Sequence, residues 1–147
     1  MSVLKPFRNE SDFKVISKAF DIRKELTTYV LRDFAVDGKL DYMEQYFLND
    51  ERTEILHDAR AAHAQLEMAN SIYITCREEY EERRLYQDKA IGFYMRLIQE
   101  LRYVVDTLRG KINVNKYDRA IQMIYAEIGL IKKWRQSDNK IKKKLNI

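Results

Sequence analysis

Two histidines, one cysteine and a scatter of carboxylates are the side chains of this 147-residue chain from which a catalytic or metal site could be built. His57 and His63 lie six apart, out of phase with the i, i+4 spacing that lets two imidazoles share a metal on a helix. Both are expected at a helix surface or boundary. Glu54 and His57 make one Glu-x-x-His, but a di-iron bundle needs that motif on two helices plus two further inward glutamates, and no second copy exists. Cys76 stands alone, so it forms no internal disulfide, and its helical phase suits a small core residue. The glycines at 38, 92, 110 and 129 are isolated and build neither a GxxxxGK phosphate loop nor a GxGxxG fingerprint. No catalytic residue, metal ligand or cofactor site is expected.

The remaining chemistry is charge. The chain ends KKWRQSDNKIKKKLNI, in which Lys132, Lys133, Arg135, Lys140, Lys142, Lys143 and Lys144 face a single acid, Asp138. The net charge of the whole chain is only +4, so the rest of it is slightly acidic and the basicity is local. Such a run can reach phosphates, with Trp134 and Tyr125 available to stack on bases. It equally suits a solvated helix end that complements the macrodipole. On charge alone both readings stand.

These residues must be carried by long helices, because 46% of the chain is hydrophobic and only four glycines and one proline interrupt it. The first helix is expected from Ser11-Asp12 to about Phe34, with Ala19, Ile22, Leu26 and Tyr29 on one face, followed by the turn DGKLD and a hinge at Gly38. Leu40–Leu48 reads as a short helix or lead-in, with Asn49 or Asp50 capping the second long helix. Ile55, Ala59, Ala62, Leu66, Ala69, Tyr73, Cys76 and Tyr80 then form an unbroken four-three seam. The second connection is placed in REEYEERR. Ala90, Tyr94, Leu97, Leu101, Val104 and Leu108 mark the third helix, ended by Gly110. Asn115 caps the fourth, with Tyr117, Ile121, Ile124, Ile128 and Ile131 in one stripe.

A second stripe on that helix, Ala120, Met123, Leu130 and Trp134, includes Glu127 and suggests a further neighbour. Met123, Glu127, Leu130 and Trp134 are therefore candidate subunit or partner contacts, with Arg96 or Arg102 expected to neutralise Glu127 if it is buried. Gly92 and Gly129 interrupt helices, for which close approach of another element is the expected reason. The architecture predicted is all-α, an antiparallel up-and-down four-helix bundle in one domain spanning 1–147, with an N-terminal arm over 1–10 and a basic tail over 136–147 open to fraying. No apolar run spans a bilayer and the N-terminus lacks a signal-type apolar region, so a cytoplasmic protein without membrane contact is expected.

The stretches DFKVISKAFDIRKEL (12–26), LYQDKAIGFYMRLIQELRYVVDTL (85–108) and AIQMIYAEIGLIKKW (120–134) resemble the accessory variability determinant (Avd) of diversity-generating retroelements. They are also similar to the four-helix-bundle proteins encoded within intervening sequences of 23S ribosomal RNA genes. The resemblance implies a homopentamer of four-helix bundles with a basic surface. It also implies a non-enzymatic role, binding a reverse transcriptase together with RNA or DNA to support mutagenic copying. Arg96 falls where the family has an arginine, whereas Glu100 stands where the family has a second one. Trp134 matches the family tryptophan with a one-residue offset. The alternative from the residues themselves is a protein-interaction bundle with no nucleic-acid role.

Overall fold

The computed structural model describes residues 10–147, with side chains described from Lys14 onward. All but one residue of the expected N-terminal arm lies outside the described residues. Four helices follow one another: α1 (Glu10–Glu25), α2 (Tyr42–Asn70), α3 (Arg77–Thr107) and α4 (Asn115–Leu145). Each packs against its two sequence neighbours in a ring, α1 closing on α4, which is the four-helix bundle the periodicity predicts. The helices are antiparallel: Tyr117 at the start of α4 donates its hydroxyl to the Phe34 carbonyl just past α1, while Arg83 at the start of α3 meets Asp138 near the end of α4.

The seams read from sequence lie in the core. Ala90, Tyr94, Leu97, Leu101, Val104 and Leu108 of the α3 stripe and Tyr117, Ile121, Ile124, Ile128 and Ile131 of α4 are all buried. Several boundaries differ from expectation. α1 runs into a π-turn, Leu26–Val30, whose extra residue rotates the chain so that Val30 enters the core and Tyr29 points out. The second long helix opens at Tyr42, because Asp41 and Glu44 form a reciprocal capping box, 2.8 and 2.9 Å. Asn49 and Asp50 are interior to it.

The α2–α3 connection is 71–76, not REEYEERR. Ser71 ends α2 by donating its hydroxyl to the Met68 carbonyl, and Glu79 accepts from the Thr75 backbone at the start of α3. Arg77–Arg84 is the opening of α3, where Glu78 and Glu79 complement the helix dipole. Tyr73 and Cys76 therefore belong to the loop rather than to the seam, and Cys76 is half-buried at the N-cap. Asn115 is the first residue of α4 rather than its N-cap, which is Val114 without a side-chain cap bond, and the Asn113 side chain accepts the Asn115 N–H at 3.0 Å. Gly110 has φ +87°, the left-handed value expected after a helix end. A Cβ on Gly92 or Gly129 would meet nothing within 4 Å, so close packing does not explain either glycine.

At the end of the bundle that carries the α1–α2 and α3–α4 loops, the two connections are stitched together. Val36 and Ile112 form an isolated antiparallel bridge, with Asp37 N–H donating to Lys111 and Asn113 N–H to Ala35. Phe34 and Ala35 both take left-handed φ of about +55°, an arrangement unfavourable for residues with side chains. It is held by the Tyr117 hydroxyl on Phe34, by Asp33 on the Ala35 N–H, and by Arg52, which stacks on the Phe34 ring and donates twice to the Leu31 carbonyl. No described helix is long and apolar enough to cross a membrane.

Candidate nucleic-acid interface

The basic run is helical to Leu145. After Gly129 it contains no glycine or proline, and its last turn carries Lys142, Lys143 and Lys144, which complement the helix C-terminus. Asn146 then adopts φ 57°, ψ 42°. Ile147 N–H bonds to the Lys142 carbonyl and Asn146 N–H to that of Lys143, the paired bonds of a Schellman cap.

What holds this end in place is a polar cluster between α3 and α4. Arg83 meets Asp138 with both arms of its guanidinium, Nε to Oδ2 at 2.9 Å and Nη2 to Oδ1 at 2.8 Å, while Gln87 donates to the same Oδ2 at 2.9 Å. Arg83 also donates to the Ile72 carbonyl at 2.9 Å and lies 4.9 Å over the Trp134 ring. Burial pushes the Asp138 carboxyl above its ordinary range, opposed by the Arg83 charge and by the Gln87 and Arg83 hydrogen bonds. Around this cluster Tyr80 and Arg84 donate to Asn139, and Arg77 donates to the Ile147 carbonyl.

The expected basic residues divide by helix face. Lys132, Lys133, Lys140, Lys143 and Lys144 are exposed, fall within an arc of about 120° at 3.6 residues per turn, and none is ion-paired among the described residues. Arg135 and Lys142 turn instead to α3, where Arg135 pairs with Asp88 at 2.7 Å and Lys142 sits 5.0 Å over the Tyr80 ring. Lys133, Lys140 and Lys144 thus stand on the side of α4 away from Glu78, Glu81 and Glu82 at the start of α3. Arg96 is not part of this group. It lies 13 residues along α3 from Arg83, about 20 Å of helix, stacked on Phe93 and 3.6 Å from the buried Asp58.

The stripe assigned to partner contact also divides. Met123 and Leu130 are half-buried against the core, but Glu127 and Trp134 are both 0% exposed and lie inside the single chain. They offer no surface to a partner. Trp134 is likewise removed from base stacking, and Tyr125 is engaged as acceptor from Arg102 at 2.7 Å.

Glu127 has no basic partner of the kind expected from Arg96 or Arg102. Neither of its oxygens is hydrogen-bonded, and the buried Tyr94 hydroxyl beside it is unsatisfied too. Burial pushes its carboxyl up to about 9, with Lys18 and Tyr94 drawing it down only in part. His63 is buried rather than superficial: Arg23 donates to its Nδ1 at 3.1 Å, Phe20 packs edge-on at 4.3 Å, and burial lowers its pKa. His57 is exposed. No group of three or more potential metal ligands is found among the described residues.

Sequence reasoning missed Arg83, Gln87 and Asp138 as a unit. The signal was present: Asp138 follows Ile131 and Trp134 in the core phase of α4, and Arg83 and Gln87 precede Ala90 and Tyr94 in that of α3. Complementary polar residues in core phase, at the ends that an antiparallel pair brings together, mark a buried ion pair. The chain matches no family model, and no curated protein or solved structure matches it either.

Proposed function

We propose that the chain is a non-enzymatic accessory protein that binds nucleic acid through the outer face of α4, in the manner of the retroelement accessory bundles it resembles. The observation that carries this reading is the arc of five lysines, none ion-paired among the described residues, on a helix fixed by a buried ion pair. Rigid display matters, since a lysine held at an ordered position presents charge without the cost of ordering a flexible tail. In this reading the partners are a reverse transcriptase and its template RNA or complementary DNA, and the working form is a cytoplasmic homopentamer. Five arcs in one assembly strengthen phosphate binding by avidity and counterion release. Binding of labelled RNA measured across salt concentrations tests the charge: log affinity falls linearly with log salt, and deleting 140–147 flattens the line. An unchanged slope in the truncated chain rules out α4 as the contact.

A protein-interaction bundle is the second reading, favoured by one observation. Tyr42, Met43 and Tyr46 on the first turns of α2 and Tyr103 on α3 are each more than half exposed, at the opposite end from the lysines. Patches of this kind mark protein contacts. Light scattering separates the two, because a monomer that binds no RNA favours this second reading.

A further inference from the structure

The lysine arc has a shape as well as a charge. Proteins that hold single strands combine a basic groove tracking the backbone with exposed aromatic rings on which successive bases stack. Neither feature accompanies this arc. Its five lysines radiate from the outer face of one helix, so the surface is convex.

The aromatic residues nearest the lysines, Trp134 and Tyr80, are also withdrawn. Trp134, the only tryptophan, is fully buried under Arg83. Tyr80 is buried, with its hydroxyl on Asn139. Tyr125 is exposed and in phase with the arc, but its hydroxyl accepts from Arg102 and it stands seven residues before Lys132, about 10 Å along the axis. Tyr73 is exposed, but it belongs to the α2–α3 loop and not to α4.

A convex cationic helix fits a different target. From Lys132 to Lys144 the ridge runs about 18 Å, and a helix with its side chains is about 10–12 Å across. Those are dimensions that a B-form major groove, about 12 Å wide, admits. Lysines spread over about 120° of the helix can reach both phosphate walls of a groove at once, whereas a lone strand offers only one line of charge.

We infer that the outer face of α4 between Lys132 and Lys144 binds double-stranded nucleic acid, straddling a groove through phosphates of both strands, without base stacking and without sequence preference. This rests on the nucleic-acid reading above and narrows it to duplexes. Sequence independence follows from the side chains, since lysine on phosphate fixes position but reads no base.

The test is fluorescence anisotropy on the full chain with three labelled probes of one length: a DNA duplex, an RNA duplex, and a mixed-sequence single strand. Each is titrated at several salt concentrations. The DNA duplex, whose major groove admits the helix, is expected to bind about tenfold tighter than the single strand and tighter than the RNA duplex. The triple substitution Lys132→Gln, Lys140→Gln, Lys144→Gln, confined to exposed side chains, is expected to reduce the duplex salt slope by about 0.9 for each lysine removed. Tyr73→Ala serves as the stacking control and is expected to leave duplex binding unchanged. Equal or tighter binding of the single strand, or a loss of affinity in Tyr73→Ala matching the triple substitution, overturns this inference while leaving the broader reading intact. Binding of none of the three probes overturns both.

Discussion

Two buried acids stand eleven residues apart on α4, and the chain treats them in opposite ways. Asp138 is 1% exposed and receives three hydrogen bonds, two from Arg83 and one from Gln87. Glu127 is 0% exposed and receives none. Burying a carboxylate costs several kcal/mol unless charge and hydrogen bonds replace the lost water. At Asp138 the replacement is built in, so the group can stay ionised and becomes a directional tie between α3 and α4. At Glu127 it is missing, so the group keeps its proton. Both carboxyls are raised and so both make stability fall as pH rises, but only Asp138 also ties two helices together.

Breaking the tie gives the largest effect. Arg83→Ala leaves the buried Asp138 without its paired charge and with Gln87 as its remaining hydrogen-bond donor, and urea unfolding is expected to show a loss of about 3–5 kcal/mol. Pairing Arg83→Met with Asp138→Leu is expected to restore most of it, because apolar packing tolerates the site better than one unpaired charge. If the double variant is as unstable as the single, the desolvation account of Asp138 is wrong.

Glu127 gives the next effect, with a definite sign. Its folded pKa, pushed up to about 9, lies above the ordinary 4.5. Between these values the folded chain holds a proton that the unfolded chain has released, so stability falls as pH rises, by at most about 1.4 kcal/mol per pH unit. Glu51, raised to about 8 by burial and by Glu100 beside it, adds a slope of the same sign. Glu127→Gln is thus expected to match the native chain near pH 5 and to exceed it by about 1–3 kcal/mol at pH 8. Equal stability of the two at both pH values would place Glu127 in water rather than in the core.

The smallest effect sharpens the contrast. The Tyr94 hydroxyl is the polar neighbour of Glu127 and draws its carboxyl down. Tyr94→Phe is expected to change stability at pH 6 by less than about 1 kcal/mol and to move the Glu127 titration, followed by carboxyl NMR, upward. A downward movement would mean that the hydroxyl prefers the protonated acid.

The bundle was legible because its seams are long and repetitive: the α3 stripe from Ala90 to Leu108 is buried throughout, as its spacing requires. The errors arose where periodicity continued across a break. Ala69, Tyr73, Cys76 and Tyr80 keep the four-three rhythm, yet the helix stops at Asn70, because Ser71 caps it and Arg83 takes the Ile72 carbonyl. That last bond comes from a residue on another helix, so no local pattern announces it. The site was half legible. Charge identified the lysines, but separating the five outward ones from Arg135 and Lys142 needed the direction of α3. Glu127 and Trp134 looked like a partner-facing stripe only while the whereabouts of α1 and α3 were unknown.

The stitch between the loops at Val36 and Ile112 carries a consequence for how the chain reaches this state. The Tyr117–Phe34 bond beside it joins residues 83 apart, and drawing together the ends of so long a loop costs about 4 kcal/mol of entropy. The α2–α3 connection closes with six residues and costs far less. The α3–α4 connection, seven residues over 108–114, is as inexpensive, so both hairpins cost far less to close than the Tyr117–Phe34 bond. The stitch works as a clasp: α2 and α3 are the contour it encircles, and the left-handed pair at Phe34 and Ala35 is strain that the chain accepts only once the clasp is shut.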